Sequence, residues 1–333
     1  MREPGFWWRR PGLLSSLMAP LGLAYGSIAA KRMAKRGALA GIPVICVGNF
    51  TLGGTGKTPT VLGVLGVLGA LGALGALPFC LTRGYGGSVQ GPHLVDPDKD
   101  SAAKVGDEAL LLARAAPTVV ARDRALGAAF AKAMGAGVVV MDDGLQNPSL
   151  VKTLTIAVVD GRRGIGNGKV FPAGPLRAPL AAQMARCDAL LVVGDGGESA
   201  RLVVSRAGAR PVLHGRLVPD DAAVTALRQR PVLAFAGIGD PDKFFATVEA
   251  AGIAIAQRRA FADHHRFNAE EAAEMVMAAE HDALALLTTE KDHARMTGDP
   301  ALAALAAKAH VLPVTMVVDD KEALRELVAR ALR

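Results

Sequence analysis

The run Val47-Gly48-Asn49-Phe50-Thr51-Leu52-Gly53-Gly54-Thr55-Gly56-Lys57-Thr58-Pro59 constrains the fold of this chain more than any other stretch. A short apolar segment, 43–49, leads into it as a strand, and a helix is expected to follow. Glycines let successive backbone N–H groups turn inward around phosphate oxygens, and the helix N-terminus adds its dipole. On this pattern Thr51, Leu52, Gly53, Gly54, Thr55, Gly56, Lys57 and Thr58 cradle a nucleotide. Lys57 reaches the β- and γ-phosphates and the Thr58 hydroxyl ligates Mg²⁺, so ATP and Mg²⁺ are the expected cofactors. The loop departs from the usual pattern at its first position, where Thr51 replaces glycine.

Beyond the loop, β-branched runs alternate with helical stretches. Strands are expected at 43–49, 79–82, 138–142, 154–160, 189–194, 232–237, 285–288 and 311–317. That alternation predicts a parallel α/β sheet with helices on both faces, of the P-loop NTPase kind, with sites at the carboxyl ends of strands. Residues 37–212 form the expected core, 213–230 a linker, and 231–333 a smaller α/β lobe. The strand at 138–142 delivers Asp142 and Asp143 at its tip, and one of them is expected to hold the metal. Leu-Gly-x repeats from Val61 to Leu77 should be helical by location, although each glycine costs about 0.5–1 kcal/mol there. Cys46, Cys80 and Cys187 lie far apart in apolar runs and read as core residues in a reducing compartment.

Charge is concentrated at the start. Within residues 1–36, seven bases (Arg2, Arg9, Arg10, Lys31, Arg32, Lys35, Arg36) face one acid, Glu3, so this segment holds +6 of the chain's formal +7. The bases bracket an uncharged run, 11–30, close to the ~20 residues that span a bilayer. A nucleic-acid binder would spread its charge over a folded groove, so no nucleic acid is expected. A cleaved signal fits poorly with an ATP site, and the prolines, glycines and serines of 11–30 weaken a spanning helix. The expected arrangement is an interfacial helix pair on anionic lipid. Leu13, Leu14, Leu17, Met18, Leu21 and Leu23 would dip into one leaflet, with Trp7 and Trp8 at headgroup depth.

Taken together, Gly48 to Pro59, Thr82-Arg83-Gly84-Tyr85-Gly86-Gly87, Val105-Gly106-Asp107-Glu108, Asp142-Asp143-Gly144-Leu145-Gln146, Gly166-Asn167-Gly168, Pro172-Ala173-Gly174-Pro175-Leu176-Arg177, Ala234 to Ile238, Phe261-Ala262-Asp263-His264-His265 and Thr288-Thr289-Glu290-Lys291-Asp292 resemble the tetraacyldisaccharide 4'-kinase family. The likeness covers most of the chain, and its order and spacing are specific. One departure is Asn147, where the family usually has His. The resemblance implies a monotopic enzyme on the cytoplasmic face of the inner membrane. Two α/β/α lobes would pass phosphate from ATP-Mg²⁺ to an acylated disaccharide 1-phosphate. The chain is taken to act as a monomer.

Read alone, Asp107 and Glu108 could be first-turn acids that favour a helix dipole. The resemblance implies instead that Asp107 is the general base, tuned by His264 with Asp263 in support, while Glu108 joins Thr58, Asp142 and Asp143 around the metal. Arg83, Tyr85, Gln146 and Arg177 are the expected acceptor-binding set, guanidinium groups being suited to a substrate phosphate. Lys291 and Asp292 could touch nucleotide or cap a helix. A phosphoesterase built on Asp263-His264-His265 would need more His and Asp motifs than seven histidines supply. The remaining rival is a membrane-docked P-loop ATPase. Its deviant loops carry Lys where this chain has Leu52. A GTPase would need an Asn-Lys-x-Asp motif, which is absent.

Overall fold

Strand β1, Val44–Asn49, is buried at every position, as expected for a strand covered on both faces. In the computed structural model, which describes residues 3–72 and 77–333, β1 lies at the centre of a nine-stranded sheet. The other strands are β2 (Pro78–Thr82), β3 (His93–Leu94), β4 (Thr118–Val120), β5 (Val138–Asp142), β6 (Leu154–Asp160), β7 (Ala189–Val193), β8 (Val212–Pro219) and β13 (Val314–Val318), in the order β13-β8-β7-β6-β1-β5-β2-β4-β3. Only the edge pairs β3–β4 and β13–β8 are antiparallel. Because β1 runs between β5 and β6, the chain leaves it at a crevice between diverging crossovers, where α/β sheets bind ligands.

Alternate side chains of β1 serve opposite faces. Ile45 and Val47 meet the helix Lys57–Ala70 and the C-terminal helix Lys321–Ala331, whereas Val44 and Cys46 meet the helix Arg124–Ala133. The glycine-rich helix Lys57–Ala70 forms despite its composition because Val61, Val64, Leu65 and Leu68 bury one side of it. Side chains added at Gly66 or Gly69 would meet nothing, so packing does not require those glycines. The end of the repeat, including Gly75, lies outside the described residues, as does Arg2. All three cysteines are buried and free, and burial pushes the Cys46 and Cys80 thiols up to about 12.

The second lobe is a four-stranded parallel sheet in the order β10-β9-β11-β12, formed by β9 (Val232–Ala236), β10 (Ile255–Ala260), β11 (Ala285–Thr288) and β12 (Ala309–Val311). Two expectations are corrected here. The single strand at 311–317 is two strands, broken at Leu312-Pro313, where proline has no N–H for a ladder. After the break, β13 crosses to the large sheet, and Leu324, Val328 and Ala331 complete that sheet's core. The smaller lobe therefore does not run to 333. Nor is 213–230 a plain linker, since it holds β8 and the helix Asp221–Leu227. The two crossings run side by side, with Asp220 N donating to Pro313 O at 2.9 Å.

At the N-terminus, a 3-10 turn Gly5–Trp8 precedes helices Leu13–Leu17 and Ala19–Met33. Leu13, Leu14, Leu17, Leu21, Leu23 and Ile28 are exposed. No helix among the described residues is long and apolar enough to cross a membrane. The tryptophans do not face outward as expected. Trp7 is buried, its Nε1–H donates to Pro172 O, and its ring meets the Phe171 edge. Trp8 donates to Glu3 and lies under the Arg163 guanidinium.

Candidate active site

The loop turns into its helix through Gly53 and Gly56, both left-handed at φ 92° and 90°. Side chains adopt that region only at a cost, so glycine is required at both. Lys57 folds back to donate to Asn49 Oδ1 at 3.2 Å and lies 3.8 Å from Asp143. Burial lowers its pKa, against the opposing pull of Asp143. Asn49 in turn donates to Thr51 O at 2.8 Å, bracing the loop from inside.

Asp142 stands beside Val47 in the β5–β1 register. Both of its carboxylate oxygens, and the Thr55 and Thr58 hydroxyls, are buried with no hydrogen-bond partner. Burial and then the Glu108 and Asp143 charges push Asp142 up to about 7. Such orphaned oxygens are costly unless something fills the site. A Mg²⁺ ion fits them, because that ion commonly takes one or two protein oxygens and completes its shell with water and phosphate. Among the described residues, no group of three or more His, Cys, Asp or Glu side chains is arranged for a metal. The four expected ligands separate accordingly. Thr58 and Asp142 are open, whereas Asp143 receives Arg177 Nη1 on both oxygens at 2.7 and 2.8 Å, and Glu108 pairs with Lys291 at 2.5 Å.

Arg177 and Gln146 are not placed as an acceptor-binding pair. Arg177 Nε donates to Thr51 O at 2.8 Å. Gln146 donates to Asn49 O at 2.7 Å and to the fully buried Gln183 at 2.6 Å. Both prop the phosphate loop, so the acceptor expectation is corrected for these two. Arg83 and Tyr85 remain exposed on the loop after β2, and the Tyr85 ring lies 4.7 Å from the His264 ring.

Asp107 opens the helix Asp107–Ala113, which packs beside the helix beginning at Lys57. The Glu108 charge acts on both Lys57 and Asp142, so the two sites share one cleft. Asp107 is 2% exposed and accepts Arg295 Nε at 2.7 Å, with His264 Nδ1 at 3.4 Å. Burial would raise its pKa. The His264 hydrogen bond and the Arg295 and Lys291 charges outweigh that and hold the carboxyl well below its usual range. His264 moves the other way: burial lowers it, but the bond and charge of Asp107 dominate and raise it. It sits at φ 55°, with Asp263 at 3.8 Å.

Arg295 was not foreseen from the sequence. Its Nη1 also holds Gly237 O, His265 O and Asp292 Oδ1, which ties Asp107 to the second lobe. Asp292 is fully buried and accepts Gly237 N at 2.9 Å, so it organises that loop and does not face nucleotide. Glu3 was equally unforeseen. Its carboxylate takes Trp8 and Arg163 at 3.0 Å each, and a side chain at Gly53 would run into its Oε1.

The family described as tetraacyldisaccharide-1-P 4'-kinase matches residues 14–333. A protein of Nitrobacter winogradskyi named tetraacyldisaccharide 4'-kinase is 52% identical over 98% of this chain and 97% of its own length. One of the same name from Rhodopseudomonas palustris is 54% identical over 98% and 94%. The fold matches a crystal structure of that kinase from Aquifex aeolicus in complex with ATP, with a TM-score of 0.72 and 24% identity over 96% of this chain and all of the other. The chain belongs to the tetraacyldisaccharide-1-P 4'-kinase family.

Proposed function

We propose that this cleft transfers the γ-phosphoryl group of ATP to the 4'-hydroxyl of a tetraacyldisaccharide 1-phosphate, a step of lipid A biosynthesis. The observation that carries this reading is the shared cleft. A phosphate cradle with orphaned Thr58 and Asp142 oxygens lies beside a buried carboxylate held ionised by Arg295 and His264. Asp107 accepts the hydroxyl proton as the acceptor oxygen attacks the γ-phosphorus, and ADP departs on the Lys57 side. His264, raised in pKa and bonded to Asp107, orients the carboxylate and balances its charge. Mg²⁺ arriving with the nucleotide would be held by Thr58 and Asp142 and would neutralise charge between the β- and γ-phosphates. Arg83 and Tyr85, exposed on the first-lobe side of the cleft, are the residues left to meet the acceptor.

The exposed leucines of 13–23, with the bases that flank them, dock the enzyme on the cytoplasmic face of the inner membrane, where an acylated acceptor resides. An ATPase that ignores lipid has no use for a base held across the cleft from the phosphate loop. Incubation with ATP and the acylated disaccharide 1-phosphate should give a bis-phosphorylated lipid on thin-layer plates. Rapid ATP hydrolysis with no lipid product would refute the assignment.

A further inference from the structure

The second lobe sends two cations into the cleft from one short helix, Glu290–Met296. Thr289 caps that helix by accepting Asp292 N, and the buried Asp292 accepts Gly237 N, so its first turn is pinned. Lys291 and Arg295 stand four residues apart on one helix face. The helix packs against Asp107–Ala113, and its cations take that helix's first two acids. Arg295 meets Asp107 at 2.7 Å and Lys291 meets Glu108 at 2.5 Å.

The two pairs differ in what they leave free. Arg295 is 7% exposed, with Nε on Asp107 and Nη1 shared among Gly237 O, His265 O and Asp292. That is the arrangement of a clamp. Lys291 keeps 28% of its side chain exposed. Among the described residues its ammonium has one hydrogen-bond partner, Glu108, so its other N–H donors are unused. Its charge also reaches past Glu108, to Asp107 and to Asp142, while Glu108 acts on Lys57. The ammonium therefore stands between the base and the orphaned carboxylate of β5, on the path a γ-phosphoryl group must take. For holding a carboxylate alone, the fork of an arginine serves better. A point charge on a flexible stem suits phosphate.

We propose that Lys291 is a catalytic residue of the phosphoryl transfer, its ammonium contacting the equatorial γ-phosphoryl oxygens from the side opposite Lys57. The inference rests on the reading of this cleft as a kinase site. As the bond from the γ-phosphorus to the ADP oxygen breaks and the bond to the acceptor oxygen forms, charge spreads over those equatorial oxygens. Asp107 takes the hydroxyl proton, and Lys291 keeps its own protons throughout. The second lobe thus delivers a cation to the transition state, as an arginine finger does in other P-loop enzymes.

The test uses the full-length enzyme with Lys291→Met, Lys291→Arg, Glu108→Gln, and Glu108→Gln combined with Lys291→Met. Lys291→Met should lower kcat by about 10³-fold or more, the worth of such a cation, and Lys291→Arg should recover part. ADP with aluminium fluoride and acceptor, a mimic of the transferring group, should bind Lys291→Met more weakly by a similar factor. ADP alone should bind as it does to wild type. A lysine that only holds the lobes together acts through Glu108, so its loss would cost nothing further in the Glu108→Gln background. Direct contact predicts a further loss of at least about 100-fold there. The proposal is overturned if that further loss is absent, or if the aluminium fluoride complex stays as tight as in wild type. ADP affinity and melting temperature report folding, and should the Met variant unfold, Lys291→Gln carries the same comparison. Wild-type enzyme that binds ADP but phosphorylates no lipid would instead fail the underlying kinase reading.

Discussion

The donor side of the cleft is one continuous stretch, residues 47–59, shaped by its own glycines and by the strand and helix on either side. The acceptor side is assembled from afar: Asp107 takes Arg295 from 188 positions away, and Glu108 takes Lys291 from 183. The first is held within the large-sheet lobe, by local backbone geometry and by the Arg177 and Gln146 props. The second exists only while the two lobes are docked. Docking is also enforced by Lys243 on Asp160 and by Arg163 on Asp240, at 2.7 and 2.8 Å, with Arg162 pairing Asp240 as well. The phosphate loop can thus be formed in a molecule whose Asp107 is not yet clamped.

The sharpest way to break this contrast is to damage each side alone. Asp107→Ala should lower kcat by about 10²–10⁴-fold, the worth of a general base, with ATP affinity unchanged in equilibrium titration. Lys57→Ala should lower kcat by about 10²–10³-fold, as losing one preorganised electrostatic donor does, and should weaken ATP binding too. If Asp107→Ala weakened ATP binding as much as Lys57→Ala does, the two sides would not be separable.

Arg295 tests whether the acceptor side depends on docking. It is 7% exposed and faces a carboxylate 2% exposed. Removing one partner of such a pair costs about 3–5 kcal/mol, so Arg295→Ala should melt at lower temperature. Without the guanidinium, the Asp107 pKa rises by about 1–3 units, and the acidic limb of the kcat/KM profile moves up by that amount. Arg295→Lys should restore part of the shift. Wild-type stability with an unshifted limb would exclude the clamp. The sign of pH-dependent stability follows from the same groups. The depressed Asp107 contributes above about pH 4 and loses its contribution as pH falls through its folded pKa. The raised His264 contributes below about pH 6.5 and loses its contribution as pH climbs through its folded pKa. The joint is therefore complete between about pH 4 and 6.5 and loosens above.

The same contrast explains what could be read from the sequence. The loop, β5 with its tip carboxylate, and the exposed leucine row are set by contiguous residues, and all three stand where the residues placed them. Arg295 gave no signal, because a lone arginine one turn after Lys291 looks like an exposed helix residue until the second lobe folds against Asp107. The assignment of Arg177 and Gln146 failed for a related reason. Their partners, Thr51 O and Asn49 O, are main-chain atoms that no side-chain pattern reveals. Trp7 was misplaced because composition marks tryptophan as interfacial, while its actual partner, Pro172 O, lies 165 residues on. The split at Pro313 depended on which sheet had an open edge.

Glu3 sharpens the comparison at its weakest point, where the N-terminal segment with its exposed leucines touches the donor side. Its carboxylate rests against Gly53 among Arg163, Trp8, Asp240 and Asp263. Burial pushes its pKa up to about 7, against the pull of Arg163. Below that pH the side chain is neutral, and above it an anion borders the phosphate loop. Two unit charges a few ångströms apart interact by about 1 kcal/mol in a water-like medium, so ATP affinity should fall by about fivefold as pH rises through 7. Glu3→Gln should remove that slope and leave the Asp107-dependent limb in place. It should also stabilise the fold at high pH, because a carboxyl whose pKa is raised on folding loses stability as pH climbs from about 4.5 to 7. Isothermal titration of nucleotide at pH 6 and 8, for both proteins, decides the matter. Parallel curves would mean that the N-terminal segment lies against the loop without acting on it, and that the donor side is as self-contained as its sequence suggests.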